Sequence, residues 1–118
     1  MVVFAMTLVS LKKRADFVAM RGQRGFGTPS FLLLSRKNGE NSGEIRFGLT
    51  ATKKLGGAVV RNRIKRRLRA VCRASMPGLA QASTDYVLIA RKAAYDRDFE
   101  AMLDDMKRAL LSLAEETK

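Results

Sequence analysis

The chain has 118 residues, 47% of them hydrophobic, and its 23 Lys and Arg against 11 Asp and Glu give a net charge of +12. This length favours a single domain over residues 1–118 with a sizeable core, and residues 1–9 and 115–118 are the segments where fraying is expected. One cysteine and no histidine exclude an intrachain disulfide and a zinc site built from Cys and His, and a reducing cytoplasm is the simplest location. The apolar start is shorter than the roughly 20 residues of a membrane-spanning helix, so we expect no membrane span. The positive excess indicates a polyanionic partner or an anionic membrane surface, and we expect the former and no membrane.

The first half of the chain alternates helical, turn and strand patterns. Residues 10–20 have a helical pattern with Ser10 as a plausible N-cap, and the glycines that follow end it. A short strand is predicted near 24–26, and the apolar run 31–34 predicts a second strand with two apolar faces. Turn-forming residues over 38–43 predict a hairpin loop. The alternation over 45–51 predicts a third strand, with Arg46, Gly48 and Thr50 on the face opposite Ile45, Phe47 and Leu49.

The second half predicts a helix over 58–74, a strand over 86–90 and a helix over 98–114 that Asp96 or Asp98 caps. The last helix carries one apolar stripe, typical of core packing, formed by Phe99, Met102, Leu103, Met106, Leu110 and Leu113. The predicted element order is therefore α-β-β-β-α-β-α. This order indicates an α+β fold with two layers, a mixed sheet of about four strands and three helices.

The segment over 53–73 carries nine Lys and Arg and no Asp or Glu. At about 100° per residue, Val60, Ile64, Leu68 and Val71 form one apolar edge, while Arg61, Arg63 and Arg67 lie at the borders. Ordinary solvated faces mix charges of both signs, and the apolar edge is too narrow for a helix that lies on a membrane. We interpret the outer face as an RNA-binding surface, because Arg pairs bidentately with phosphate and Gly56 and Gly57 allow a phosphate to approach the helix start. The candidate RNA-binding residues are Lys53, Lys54, Arg61, Asn62, Arg63, Lys65, Arg66, Arg69 and Arg73.

The sequence over 48–69, GLTATKKLGGAVVRNRIKRRLR, resembles the signature of the protein component of bacterial ribonuclease P. Residues 11–17 (LKKRADF) resemble its first helix, and residues 85–91 (DYVLIAR) its last strand. The resemblance implies a left-handed β-α-β crossover, although right-handed crossovers are the general rule. It also implies a 1:1 complex of a monomeric protein with a catalytic RNA that removes the 5′ leader of precursor tRNA. Mg²⁺ would be held mainly by the RNA and not tightly by the protein.

The resemblance further implies a cleft between the sheet and the first helix that holds the single-stranded leader. Single strands bind where aromatic side chains stack on bases beside a basic groove, and core packing is an equally good interpretation of Phe17 and Phe31. Relatives often carry aromatic side chains in place of Arg21 and Leu34, so stacking at these two positions stays open. The candidate cleft residues are Lys13, Phe17, Arg21, Phe31, Leu34, Arg46 and Thr50.

Alternative functions are a ribosomal protein, a DNA-binding helix module and a membrane-disrupting cationic protein. A helix in the major groove of DNA also uses Arg and Asn. However, a strand and glycines precede residue 58, where a helix-turn-helix module has a second helix. The sequence shows no pairing of a nucleophile with a base. We therefore expect no catalytic residues in this chain, and the resemblance implies that the RNA subunit carries the chemistry.

Overall fold

The computed structural model describes residues 8–10, 25–37, 45–81 and 83–116. This part of the chain contains five strands, two α-helices and two short 3-10 turns. The strands are β1 (Leu8–Ser10), β2 (Gly25–Gly27), β3 (Phe31–Lys37), β4 (Ile45–Thr50) and β5 (Thr84–Ala90). The helices are α1 (Ala58–Ser75) and α2 (Phe99–Glu116), and the 3-10 turns Lys53–Leu55 and Lys92–Tyr95 precede them.

The strands form one mixed sheet in the order β1-β4-β5-β3-β2. Strand β4 runs parallel to β1 and to β5, while β3 runs antiparallel to β5 and to β2. The predicted α+β class is confirmed, with five strands instead of about four. Strand β1 was not predicted, because three residues are too few for a periodicity to be recognised. Of the helical segment predicted over 10–20, Ser10 is the last residue of β1, and residues 11–20 lie outside the described residues, as does the hairpin loop over 38–43.

Helix α1 connects β4 to β5, which are parallel neighbours. A parallel pair requires a crossover connection, so the predicted β-α-β unit is present. Its left-handed sense stays a prediction. The crossover is the feature that positions α1, since both of its ends are attached to strands in the middle of the sheet.

One face of the sheet and both helices enclose the main core. Alternate residues of β3 and β5, including Phe31, Leu33 and Leu88, are fully buried on this face. Burying one such side chain contributes about 1.5–3 kcal/mol. The predicted apolar stripe of α2 is confirmed, because four of its members are buried and two are partly buried. The buried members are Met102, Met106, Leu110 and Leu113, and the others are Phe99 and Leu103.

One of the two predicted N-cap residues caps helix α2. The Asp98 carboxylate accepts a hydrogen bond from the backbone N–H of Ala101 at 3.2 Å. Such a bond satisfies one of the N–H groups that lack a partner in the first turn. Asp98 is therefore the N-cap, and Asp96 lies in the turn before it.

We predict that Cys72 is unreactive in the folded protein. Its side chain is fully buried on α1, and burial raises the pKa of the thiol from 9.0 to about 12, although Arg73 partly opposes this shift. Because the thiolate is the reactive form, a thiol reagent at about pH 8 should modify Cys72 at least about 100-fold more slowly in buffer than in denaturant. The rate can be followed by absorbance. Equal rates in the two conditions would show that this part of the core is open.

Candidate nucleic-acid interface

Helix α1 lies on the sheet with the edge that its sequence predicts. Ile64, Leu68 and Val71 are fully buried, and Val60 is partly buried and packs against the same core. Cys72 and Ser75 extend this edge at the C-terminal end of the helix. A buried aliphatic edge fixes the rotation of the helix about its axis, so the direction of its polar face is also fixed.

The opposite face of α1 is exposed and carries cations and one amide. Asn62, Arg66, Arg69 and Arg73 are exposed, and Lys65 is partly buried. We call these five residues the outer strip. Lys53 and Lys54 are exposed on the 3-10 turn that precedes the helix. Within the described part of the chain, no carboxylate forms an ion pair with a cation of α1, so the strip is available to an anion from outside.

The N-terminal end of α1 also lacks a compensating negative group. Its N-cap is Gly57, whose residue type offers no capping side chain, and the first turn carries no acid. Gly56 has a φ of 140°, which a residue with a Cβ rarely adopts. A Cβ added at Gly57 would meet no atom within 4 Å. The positive end of the helix dipole is therefore open beside the two lysines.

Two border arginines of α1 bind the protein itself. Arg67 donates hydrogen bonds to the carbonyl oxygens of Ala94 at 2.8 Å and Arg97 at 2.6 Å. Arg63 donates its Nε–H to the carbonyl oxygen of Tyr95 at 3.0 Å, and its guanidinium carbon lies 4.8 Å from the centre of the Tyr95 ring. We call the segment from Lys92 to Arg97 the docked turn. Arg67 is directed to the docked turn, and the planar group of Arg63 keeps its two amino groups for an outside partner.

Sequence reasoning missed the docked turn as a neighbour of α1. Arg63 and Arg67 are spaced i, i+4, so they lie on one border of the helix. That spacing is a weak signal, since it does not say which loop lies beside the border. The eight residues between β5 and Phe99 show no periodicity that would have placed them there.

The second face of the sheet brings together three of the predicted cleft residues. Leu34, Arg46 and Thr50 lie on this face, because strand residues alternate between the two faces and these three are out of phase with the core-facing residues of β3 and β4. Val87 is buried beside Leu34, with which it forms a small apolar cluster that also includes Ile89. Lys13, Phe17 and Arg21 lie outside the described residues.

Phe31 does not belong to this face. It alternates with Leu32 and points with Leu33 into the main core, where it is 0% exposed. A base cannot stack on a ring that is fully enclosed, so the assignment of Phe31 to the leader cleft is wrong and its core interpretation is correct. At this end of β3 the side chain on the second face of the sheet is Leu32. The expected aromatic contact with the leader is therefore absent at this position.

Arg46 is engaged by a buried carboxylate on the same face. Its Nε and Nη2 each donate to one oxygen of Asp85 at 2.7 Å, and the Asp85 side chain is only 3% exposed. A buried carboxylate without a partner is costly, so neutralising Asp85 is the first role of Arg46. The Arg46 side chain remains 29% exposed, which leaves part of its positive surface on the face.

The other buried carboxylate of the described residues lies on α2. Asp105 is 0% exposed and accepts hydrogen bonds from Arg97 at 2.8 Å and Arg108 at 2.6 Å. No group of three Cys, Asp or Glu residues in the described ranges is arranged to hold a metal ion. None of the helices that the structure describes is long and apolar enough to cross a membrane.

The chain is similar in sequence and in structure to one group of known proteins. The family model described as ribonuclease P matches residues 7–114. A ribonuclease P protein component of Caulobacter vibrioides is 43% identical over 104 residues, which cover 88% of this chain and 70% of that protein. One of Ruegeria pomeroyi is 43% identical over 105 residues, which cover 87% and 84%.

Solved structures agree with these sequence matches. The structure of a Staphylococcus aureus RNase P protein mutant with defective mRNA degradation activity superposes with a TM-score of 0.72 at 29% identity, over 90% of this chain and 87% of that one. The RNase P protein from Thermotoga maritima superposes with a TM-score of 0.66 at 29% identity, over 88% and 93%.

We predict that Arg67→Ala destabilises the protein and that Arg66→Ala leaves its stability nearly unchanged. Arg67→Ala removes two hydrogen bonds from a charged donor, which should lower the free energy of unfolding by about 1.5–3 kcal/mol. Arg66→Ala removes an exposed side chain and should change stability by less than about 0.5 kcal/mol. Urea denaturation followed by circular dichroism measures both. Equal stability of the two variants would mean that the docked turn is not held by Arg67.

Proposed function

Because this chain belongs to the ribonuclease P protein family, we propose that α1 binds the catalytic RNA of the ribonuclease P ribonucleoprotein. As a ribonuclease P protein component, the chain is a subunit of the RNA–protein complex that processes tRNA. The proposal adds the surface through which it joins that complex. It comprises the outer strip, Lys53, Lys54, Arg61 and the two outward amino groups of Arg63.

The observation that carries the proposal is the uncompensated charge of α1. None of its seven cations forms an ion pair with a carboxylate of the described residues. Like charges on adjacent turns destabilise a helix, so an anionic partner would relieve this repulsion. An RNA backbone offers phosphates at regular intervals, and pairing with them releases counterions. The exposed Asn62 can donate and accept hydrogen bonds at a base edge or a 2′-hydroxyl. This property alone does not distinguish the proposed role from that of a ribosomal or DNA-binding protein.

The family membership and the order of the elements favour the ribonuclease P role over the alternatives. Strand β4 and the 3-10 turn Lys53–Leu55 precede α1, whereas a helix-turn-helix module would place a helix there. The apolar edge of α1 is buried against the sheet, so it is not available for insertion into a membrane.

We further propose that the second face of the sheet holds the single-stranded 5′ leader of precursor tRNA. In support, Leu34 and Thr50 are partly exposed on this face and Arg46 presents a partly exposed guanidinium. Leu32 and Leu34 offer apolar contact to bases in place of aromatic stacking. Lys13, Phe17 and Arg21 belong to this proposal as residues of the segment before β2.

The proposed division of labour leaves the chemistry to the RNA. Mg²⁺ requires several oxygen ligands, and the described residues do not fit such a site, because Asp85 and Asp105 are each bound to arginine and no acidic cluster is present in those ranges. We propose that the magnesium ions of the complex are held by RNA. The protein contributes affinity for substrate and relief of phosphate repulsion, as one copy per RNA.

We predict that binding of the chain to its cognate ribonuclease P RNA weakens steeply with salt. Roughly six or more phosphate contacts should give a log–log slope of several units. Arg66→Ala and Arg69→Ala should each reduce the slope by about 1. Filter binding over a salt series measures this, with Lys107→Ala on α2 as a matched exposed cation away from α1. A flat salt response would exclude the electrostatic interface.

We predict that the chain increases cleavage of precursor tRNA by its cognate RNA at low magnesium. The cations of α1 should replace part of the screening that magnesium supplies, so the rate gain should shrink as magnesium rises. The assay compares RNA alone with RNA plus protein, and reads the 5′ leader released on a gel. No gain at any magnesium concentration would refute the proposed role, whereas a gain that Arg66→Ala and Arg69→Ala abolish together would support it.

A further inference from the structure

Tyr95 is an exposed aromatic residue beside the cationic helix. It remains 39% exposed, and the other large hydrophobic side chains that are exposed in the described ranges are Val59 and Leu111, neither of which is aromatic. The ring lies against the Arg63 guanidinium, 4.8 Å from its carbon to the ring centre. An exposed aromatic ring is not required for the core, so its position beside α1 calls for a separate explanation.

The docked turn holds Tyr95 firmly. Ala94, the preceding residue, is 0% exposed in the main core, and its carbonyl oxygen accepts a hydrogen bond from Arg67. The carbonyl oxygen of Tyr95 itself accepts from Arg63, and that of Arg97 accepts from Arg67. Three carbonyl groups of one turn are therefore bound by two arginines of α1. A ring on such a turn loses little conformational freedom on binding, which is the general advantage of a preorganised contact.

We propose that Tyr95 is a stacking platform for an unpaired nucleobase of the bound RNA. Aromatic side chains next to a cationic track are the common way of holding single-stranded bases. Arg63, which covers part of the ring, strengthens this function because a guanidinium plane also stacks on bases. The inference rests on the proposed function of α1. It extends the interface from α1, which precedes β5 in the chain, to Tyr95, which follows β5.

The segment that carries Tyr95 contains acids as well as cations, unlike the outer strip. Asp96 and Asp98 follow Tyr95 in the chain and are exposed, and carboxylates are unfavourable neighbours for a phosphate. Asp98 is also required as the cap of α2. The backbone of the RNA is therefore expected along the outer strip, on the far side of Arg63, with one base turned towards the ring.

A tryptophan in place of Tyr95 tests the contact directly. The chain has no tryptophan, so Tyr95→Trp supplies a single fluorophore at the site. On titration with cognate ribonuclease P RNA, and separately with precursor tRNA, its emission should fall by roughly half or more with the RNA that supplies the base. Leu111→Trp, exposed on α2, is the matched control and should change little. Unquenched emission at Tyr95→Trp with both RNAs bound would overturn the proposal.

Affinity measurements separate stacking from a role in holding Arg63. Tyr95→Ala should weaken binding about tenfold without a change in the salt slope, because no charge is removed, while Tyr95→Phe should bind as the wild type does. If Tyr95 acted only by positioning Arg63, Tyr95→Ala would also reduce the slope by about 1, as a lost phosphate contact does, and the stacking proposal would fail. If the wild-type chain bound neither RNA, the function proposed for α1 would fail first.

Discussion

Helix α1 has to satisfy two opposite demands, and the burial of its aliphatic edge is what reconciles them. Seven cations lie on its 18 residues, and their mutual repulsion would favour an extended chain over a helix. Ile64, Leu68 and Val71 are fully buried against the sheet, and each contributes about 1.5–3 kcal/mol. That contribution exceeds the few tenths of a kcal/mol of each like-charge pair. The core therefore holds the cations in a fixed array, so that their positions do not depend on the RNA.

The same apolar edge determines which arginines are available to RNA. Residues at the centre of the outer face project into solvent, whereas two of the three border arginines, Arg63 and Arg67, reach backbone carbonyl groups of the protein. Arg67 binds two of these and Arg63 binds one. A basic residue of α1 thus has a role set by its angle from the buried edge. The seven cations are not equivalent, even though the sequence presents them in one segment without an acid.

Periodicity predicted most of the fold and the direction of α1, because both depend on which residues are buried. The helical angles assigned Ile64, Leu68 and Val71 to the inside, as the structure has them. Of the residues assigned to the outside, four are exposed and Lys65 is partly buried; the exposed ones are Asn62, Arg66, Arg69 and Arg73. The short strand β1 could not be predicted, since its existence depends on pairing with β4 and not on its own pattern. Phe31 was ambiguous for a related reason. A strand that is apolar on both faces does not reveal which face meets the helices, and only the register with β5 decides it. The partners of Arg63 and Arg67 depend on a loop with no periodicity at all.

A cationic surface is effective only if the acids of the same protein do not neutralise it. No acid occurs between Ile45 and Thr84, and three of the acids that follow are engaged elsewhere: Asp85 binds Arg46, Asp105 binds Arg97 and Arg108, and Asp98 caps α2. These contacts lie on the second face of the sheet and on α2, and none of the three acids forms an ion pair with a cation of α1. An anion that binds α1 removes the repulsion that the core had to overcome. Binding of RNA to the folded state alone should therefore stabilise the fold, and stability and function are linked through the same helix.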